Sequence, residues 1–256
     1  MIVPNSCIYY LINNREVDIK RLISSLECLD RNFLKNYPYP VVLGYEDLSQ
    51  EDMDMISSKI KVKHFFHKLS FELPNYSAQI SEQIPVRFKG HWDESAFFSM
   101  GYRHMCRFFS GEMYKYEFFE KVKYLMRMDC DSYFTDEVKY DPFARMSKKK
   151  AVYGYQGVET DMDYVIEGLH EFCCKILPQN SKLPYNNMFQ THFEIVDFQW
   201  FKTGDYMNFY NKIDETGNIY IKRWGDAPIK YQGVMGLVLP EQLLKLDLPY
   251  RHGGDL

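Results

Sequence analysis

Apolar and polar positions follow a regular order along the first quarter of the chain. Residues 18–33 and 47–58 place apolar side chains at helical spacing, and Asp18 can cap the first of these predicted helices. Short apolar runs flank both segments. These predicted strands cover residues 7–12, 39–43 and 62–66. Because strands that are joined by helices usually form parallel sheets, the order predicts an α/β fold.

The same order resumes after a polar, proline-punctuated excursion over residues 69–92. The predicted strands of this part cover residues 124–128, 152–156 and 193–198. The predicted helices cover residues 95–109, 163–177 and 200–211, with a short helix after Asp141 and a last helix within residues 225–239. No internal repeat or low-complexity linker divides the chain, so residues 1–256 are predicted to form a single domain.

The composition narrows the class of protein. Of the 256 residues, 46% are hydrophobic and 26% are charged, as in ordinary soluble globular proteins. The net charge is −4 and no long basic run occurs, so we do not expect nucleic acid as a partner. Aromatic residues make up 17% of the chain, which suits either a sugar-binding surface or a tyrosine-rich core.

Neither a membrane span nor a leader is predicted. No apolar run reaches the roughly 18 residues of a transmembrane helix, and the apolar N-terminus lacks the basic start of a signal peptide. We therefore expect a soluble chain, cytoplasmic as it stands. None of the six cysteines forms a CxxC pair, so no structural zinc site is expected and the thiols are predicted to be reduced.

Asp129-Cys130-Asp131 follows directly after a predicted buried strand. In extended chain, residues two apart point to the same side, so both carboxylates can reach one divalent cation. Ligands of open α/β sheets bind beyond the carboxyl ends of the strands, and Mg²⁺ or Mn²⁺ at such a place bridges phosphates. A solvated acidic turn is the structural alternative, because Asp-x-Asp is a frequent pattern.

Several segments, in matching order, resemble the KTR-type α-1,2-mannosyltransferases of fungi, glycosyltransferase family 15. The two specific strings are Tyr102-Arg103-His104-Met105-Cys106-Arg107 and Arg223-Trp224-Gly225-Asp226-Ala227-Pro228. Supporting segments are residues 124–131, 193–197 and 250–252. The resemblance covers most of the chain from Tyr102 onward, whereas the N-terminal part resembles the family only in its pattern.

This resemblance implies a GT-A fold, in which helices flank a mixed, mostly parallel central sheet. It also implies transfer of mannose from GDP-mannose, with retention of configuration, to a hydroxyl of a mannoside or of another glycan or glycoprotein acceptor. The implied metal is Mn²⁺, or alternatively Mg²⁺. Its predicted ligands are Asp129, Asp131 and His252.

The resemblance also implies roles for residues outside the metal site. Glu194 matches the family's candidate nucleophile, whose alternative role is to stabilise charge, and Asp226 and Tyr102 match residues that line the reacting sugar. Arg103 and Arg107 are four residues apart, share a helix face and are predicted to meet a phosphate or a carboxylate. The structural alternatives are a buried partner of an arginine for Glu194, a helix cap for Asp226 and core packing for Tyr102.

Two departures from the family pattern leave the donor open. Asp129-Cys130-Asp131 stands where the family has Glu-Pro followed by an acid or Asn, and the family's arginine before Asn14 is absent. Asn14 is still predicted to contact the nucleotide. The alternatives are a GT-A enzyme that uses a UDP-sugar and a catalytically silent carbohydrate-binding protein of the same fold. The alternative compartment is the Golgi lumen, if the chain is a trimmed catalytic domain.

Overall fold

A computed structural model describes residues 2–74 and 99–254, and all bounds below refer to those ranges. The first range contains β1 (Ser6–Ile12), α1 (Glu16–Leu29), β2 (Val41–Tyr45), α2 (Gln50–Ser57) and β3 (His64–Lys68). The helices of the second range are α3 (Met100–Ser110), α4 (Pro142–Lys149), α5 (Leu169–Ile176), α6 (Phe198–Lys202), α7 (Asp205–Asp214), α8 (Asn218–Ile221) and α9 (Asp226–Leu237). Its strands are β4 (Tyr124–Met128), β5 (Ser132–Phe134), β6 (Tyr153–Tyr155), β7 (Val158–Thr160), β8 (Asn187–Phe189), β9 (Phe193–Asp197), β10 (Leu243–Lys245) and β11 (Tyr250–His252).

Seven of the described strands form one mixed sheet in the order β10-β6-β9-β4-β1-β2-β3. β1 lies between β2 and β4 and runs parallel to both. β9 runs antiparallel to its neighbours β4 and β6. The predicted α/β fold with a mostly parallel sheet is therefore confirmed. Outside this sheet, β5 pairs with β11 and β7 pairs with β8, both antiparallel.

The interior strand β1 is buried on both faces, which explains why its sequence is almost entirely apolar. Tyr9 packs on one face, in a core that also contains residues of α3 and α9. Tyr10 points to the opposite face, into a second core with residues of α1 and α4. Helices thus cover both faces of the sheet, and the carboxyl ends of the parallel strands remain for polar side chains.

Some predicted helix boundaries are wrong. α1 begins at Glu16 with Arg15 at its N-cap, so Asp18 does not cap the helix. The Asp18 carboxylate instead accepts a hydrogen bond from Arg15 Nε at 2.6 Å. At its other end α1 passes into a π-helical segment, Asp30–Leu34, which brings the helical region close to the predicted end at residue 33.

Glycines divide two helices that the sequence pattern predicts to be continuous. Gly168 adopts a φ of 75°, and α5 therefore begins only after a separate 3₁₀ turn at Asp163–Val165. Gly204 adopts a φ of 74° and separates α6 from α7. Glycine enters this left-handed region without steric cost, so it breaks a helix that the apolar spacing alone would continue.

Other expectations concern the membrane, the thiols and the excursion. None of the helices in the described ranges combines the length and apolar character that a membrane span requires. All six cysteines are free thiols, as predicted. Most of the predicted excursion over residues 69–92, and residues 95–98 of a predicted helix, lie outside the described residues.

Gly111, directly after α3, packs against the buried ring of Tyr210, and a Cβ atom there would lie 2.1 Å from Tyr210 Cδ1. We expect Gly111→Ala to lower the free energy of unfolding by about 1–3 kcal/mol, because the ring would have to shift within a packed core. Urea denaturation measures this loss. Gly101→Ala is the control, since its nearest neighbour is 3.9 Å away and alanine favours the helix. An equal loss in both variants would contradict the packing argument.

Candidate active site

The turn after β4 and the C-terminal strand β11 meet at one edge of the sheet. The Asp129 N–H donates to the carbonyl of His192, which precedes β9, at 3.1 Å. β11 pairs with β5 so that His252 lies opposite Ser132, and the Gly253 N–H donates to the Asp131 carbonyl at 3.0 Å. Backbone hydrogen bonds therefore hold the C-terminal strand beside the two aspartates.

The three predicted metal ligands converge at this edge. His252 Nε2 lies 3.2 Å from Asp131 Oδ1 and 4.0 Å from Asp129 Oδ2. Burial lowers the pKa of His252, but its hydrogen bond to Asp131 and the two carboxylate charges outweigh burial and raise it. The structure therefore brings together residues that are far apart in sequence, and their role as ligands remains a prediction.

His192 was not predicted, yet it is part of the same cluster. Its ring stacks on the ring of His252 with a centroid distance of 4.0 Å and an interplanar angle of 4°. Its Nδ1 lies 2.7 Å from the Tyr250 hydroxyl. Burial lowers the pKa of His192 to about 3, so this ring is neutral at physiological pH. A neutral His192 ring adds no second positive charge beside His252.

The chemistry of this donor set fits a divalent cation. Two carboxylates and one imidazole suit Mn²⁺ better than Mg²⁺, because Mg²⁺ prefers a shell made of oxygen ligands. Within the described ranges, no group of three or more His, Cys, Asp or Glu side chains is arranged so that it could hold a metal ion as it stands. His252 and Asp131 contact each other directly, so metal binding would replace their hydrogen bond by two bonds to the ion.

Arg127, the fourth residue of β4, connects the predicted metal ligand Asp129 to α9. Its Nε lies 3.1 Å from Asp129 Oδ1, and its Nη1 lies 2.6 Å from Asp226 Oδ2. The guanidinium stacks on the ring of Phe109 at 3.6 Å from the ring centre. The Arg127 side chain is only 3% exposed, so these carboxylates balance a fully buried charge.

Asp226 lies next to this arginine rather than at the cap position. The N-cap residue of α9 is Gly225, so the predicted capping role of Asp226 is wrong. Burial raises the pKa of Asp226, but the charge of Arg127 and its hydrogen bond outweigh burial, and the net pKa is below the ordinary value. Asp226 is therefore a buried, ionised carboxylate, and Arg127 links it to the predicted metal ligand Asp129.

Glu194 lies on β9 directly opposite Arg127 of β4. Its Oε1 accepts a hydrogen bond from Lys230 Nζ at 2.8 Å, and its Oε2 accepts one from the Tyr153 hydroxyl at 2.7 Å. The residue is 2% exposed. The alternative of a buried ion pair is thus realised, with a lysine rather than the predicted arginine as the partner. Glu194 also shares its sheet face with Arg127. A catalytic role of Glu194 remains a prediction.

Tyr102 belongs to a polar cluster beside Asp226. Its hydroxyl accepts a hydrogen bond from Arg223 Nη2 at 2.7 Å, and Arg223 Nη1 lies 3.5 Å from Asp161 Oδ2. Arg223 adopts a φ of 59°, in the left-handed region that non-glycine residues rarely enter. Burial raises the pKa of the Tyr102 hydroxyl, and the negative charges of Asp226 and Asp161 add to this effect. Tyr102 is therefore part of a polar cluster and does not only pack in the core.

Asn14 lies after the carboxyl end of β1 and is exposed. Its Nδ2 donates to Asp47 Oδ2 at 3.3 Å, and Asp47 follows the neighbouring strand β2. Both side chains lie at the carboxyl ends of adjacent parallel strands, where the fold class binds nucleotides. The nucleotide contact of Asn14 remains a prediction.

Arg103 and Arg107 have other partners. Arg107 forms two hydrogen bonds with the Asp214 carboxylate, at 2.8 and 2.9 Å. Arg103 donates to the Tyr220 carbonyl at 3.2 Å. The predicted contact between this helix face and a carboxylate is therefore present, and the carboxylate is that of Asp214 in α7. These contacts give no support to the predicted cofactor-binding role of the two arginines, because they direct the side chains toward α7 and α8.

The sequence pattern contains a signal for one residue that was missed. Arg127 is a single charge inside an otherwise apolar, buried strand, which requires a buried partner of opposite charge. Lys230 gives a weaker signal within α9, whose polar and apolar positions show no clear face. His192 has no signal of its own, because only the fold reveals that its ring stacks on His252.

Comparisons with known proteins identify the family and the fold. A family model described as glycolipid 2-alpha-mannosyltransferase matches residues 2–253. The glycolipid 2-alpha-mannosyltransferase of Saccharomyces cerevisiae is 25% identical, and the match covers 97% of this chain and 61% of that protein. The probable mannosyltransferase KTR4 of the same yeast is 29% identical, with 84% and 53% covered. The chain thus spans roughly half to two thirds of the length of these relatives.

Two solved structures share the fold. The Mn/GDP form of core-mannan synthase A from Aspergillus fumigatus superposes with a TM-score of 0.83 at 20% identity, covering 98% of this chain and 75% of that chain. Ktr4p from S. cerevisiae in complex with GDP gives a TM-score of 0.78 at 23% identity, covering 97% and 71%. The predicted GT-A fold is confirmed. Because the family model spans residues 2–253, the chain belongs to the glycolipid 2-alpha-mannosyltransferase family, as residues 102–107 and 223–228 indicated.

Proposed function

We propose that this chain is the catalytic unit of a metal-dependent mannosyltransferase that uses GDP-mannose and retains the anomeric configuration. The acceptor is a hydroxyl of a mannoside or of another glycan. Family membership supports the reaction class. Two solved structures of the same fold support GDP-mannose as the donor, because one was solved with Mn and GDP and another with GDP.

One observation carries the proposal. His252 lies within 3.2 Å of Asp131 and 4.0 Å of Asp129, at the edge of the sheet where the fold class binds nucleotides. A structural role alone does not explain why His252 pairs with two aspartates whose side chains are 34% and 25% exposed. Groups that hold a cation need this combination of carboxylates, imidazole and access to ligand.

The proposed roles follow from position. Asp129, Asp131 and His252 hold Mn²⁺, or Mg²⁺, which when bound would neutralise the charge that develops on the leaving nucleoside diphosphate. Arg127 keeps Asp129 oriented through the Nε contact. The chain's own residues then bind and orient the donor beside the ion.

The sugar pocket is assigned to the side chains next to Arg127. Asp226 and Tyr102 bind hydroxyls of the reacting mannose, and Glu194 places negative charge near its anomeric carbon. Asn14 contacts the ribose or the base at the carboxyl end of β1. We assign no nucleotide contact to Arg103 and Arg107, because protein groups already accept their hydrogen bonds.

A thermal-shift panel of nucleoside diphosphates with and without Mn²⁺ tests the proposal. At a GDP concentration of about 100 times Kd, binding stabilises the fold by about 2.7 kcal/mol, which raises Tm by roughly 5–10 °C for a chain of this size. We expect this shift with GDP and Mn²⁺ together and a much smaller one with UDP or after chelation by EDTA.

The panel also separates the alternatives. Stabilisation by UDP and not by GDP would assign the chain to another donor. Binding of glycans without hydrolysis or transfer from any sugar nucleotide would identify a catalytically silent carbohydrate-binding protein. Linkage analysis of products on simple mannosides then defines the acceptor position and the anomeric configuration.

A further inference from the structure

Four charged side chains alternate in sign where α9 packs on the sheet. Arg127 and Glu194 are direct partners across β4 and β9. Asp226 and Lys230 are one helical turn apart on α9. The Arg127–Asp226 contact is 2.6 Å and the Lys230–Glu194 contact is 2.8 Å. Each carboxylate with a proposed catalytic role is thus paired with its own cation, and we call these residues the charge quartet.

The charge quartet is buried from solvent. The side-chain exposures are 3% and 5% for Arg127 and Asp226, and 0% and 2% for Lys230 and Glu194. An unpaired charge at such depth is strongly unfavourable, so the contacts must form together. A shift of α9 by one turn, about 5.4 Å, would bring Lys230 toward Arg127 and separate both pairs. The quartet therefore fixes the register between α9 and the sheet.

Lys230 holds Glu194 from the helix side. Its ammonium donates to Glu194 Oε1 and also to the Tyr114 hydroxyl, at 3.2 Å. It lies 5.5 Å from the centre of the Phe201 ring. The Tyr153 hydroxyl binds the second oxygen of Glu194 from β6. Both oxygens of Glu194 are therefore held by groups from different elements, so the carboxylate has little freedom to move.

We infer that Lys230 is a positioning residue for the transfer reaction, because its buried ammonium keeps Glu194 in place as a fixed negative charge next to the Arg127–Asp226 pair. This inference rests on the proposed function. It adds a residue that does not touch the substrate but determines where the charge of Glu194 is presented. A purely structural ion pair would support folding and leave the chemical step unchanged.

Lys230→Met tests the inference, because it removes the charge and keeps the length of the side chain. We expect kcat for mannosyl transfer to fall by about 100-fold, the size of a lost electrostatic contact in an active site. The KM for GDP-mannose and the affinity for GDP with Mn²⁺ should change by less than about threefold, because Lys230 contacts Glu194 and no predicted metal ligand. Lys230→Arg, which keeps a cation, should recover part of kcat.

Lys123→Met is the matched control. Lys123 forms an ion pair with Asp197, at the other end of β9 from Glu194, and is 44% exposed. Its replacement should leave kcat unchanged. If Lys230→Met does not fold, Lys230→Gln replaces it, since the amide retains a hydrogen-bond donor without charge. Each variant is assayed below its own Tm, and kcat is calculated per GDP-binding molecule.

The outcomes separate this inference from the proposed function. A folded Lys230→Met or Lys230→Gln with near-wild-type kcat and a lowered Tm would show a structural ion pair and overturn the positioning role. A wild-type protein that neither binds GDP with Mn²⁺ nor transfers mannose would instead overturn the proposed function. A parallel loss of GDP affinity and kcat in Lys230→Met would also contradict the inference, because it would indicate a collapsed donor site.

Discussion

Asp131→Ala is expected to lower kcat/KM for mannosyl transfer by about a thousandfold or more, because loss of metal-assisted charge stabilisation removes about 4 kcal/mol of transition-state stabilisation. Asp131 is the better choice of the two aspartates. Its carboxylate contacts His252 at 3.2 Å, whereas Asp129 also contacts Arg127 and would disturb two sites at once. Initial rates at several Mn²⁺ concentrations, together with Mn²⁺ titration by electron paramagnetic resonance, measure the effect.

Asp136→Ala is the control for this experiment. Asp136 is an exposed aspartate just after β5, and its carboxylate accepts a hydrogen bond only from the next backbone N–H among the contacts described. This variant should keep wild-type kcat/KM and Mn²⁺ affinity. Wild-type Mn²⁺ affinity in Asp131→Ala would remove Asp131 from the proposed metal site.

Glu194→Gln is expected to reduce kcat by at least about 100-fold while GDP still binds with Mn²⁺, because the change removes a charge without changing the shape of the side chain. A loss of about 10²–10³ matches a carboxylate that stabilises the oxocarbenium charge. A loss of about 10⁴ or more matches a nucleophile that forms a covalent glycosyl intermediate. Single-turnover kinetics with GDP-mannose measure the rate of the chemical step and distinguish these two ranges of loss in rate.

The ion pair requires a further control, because Glu194→Gln leaves the Lys230 charge buried without its partner. Breaking a buried pair costs about 3–5 kcal/mol, so kcat must be calculated per folded molecule. The double variant Glu194→Gln with Lys230→Met removes both charges and should be more stable than Glu194→Gln alone. Both variants should be equally inactive. Full kcat in the double variant would limit Glu194 to a structural role.

The fold could be predicted well because its signals are local. The apolar run of β1 and the helical spacing of α1 lie within single segments, and the alternation of such segments indicates a parallel sheet. The errors arose where one residue overrides a pattern. Gly168 and Gly204 interrupt helices that the apolar spacing continues, because a left-handed conformation at one position outweighs the periodicity of the residues around it.

The candidate site could be predicted only in part. The spacing of Asp129 and Asp131 after a strand indicates a pair of metal ligands, and the structure places His252 beside both. Helix capping was the alternative role predicted for Asp226, because a cap is a local motif, whereas its partner Arg127 is distant in sequence. The sequence cannot distinguish an arginine that binds phosphate from one that pairs with a carboxylate. Only the fold shows that Arg107 donates its hydrogen bonds to Asp214.

The pairing of β11 with β5 has a consequence for the synthesis and ageing of the protein. The seven-stranded sheet is complete at β10, yet the proposed imidazole ligand arrives only with His252. A nascent chain could therefore fold its sheet before it can hold the ion. Proteolytic clipping directly before Tyr250 would leave every strand of the large sheet in the chain and remove the proposed imidazole ligand. If His252 holds the ion as proposed, an antibody signal or a circular-dichroism spectrum would then overstate the amount of active protein.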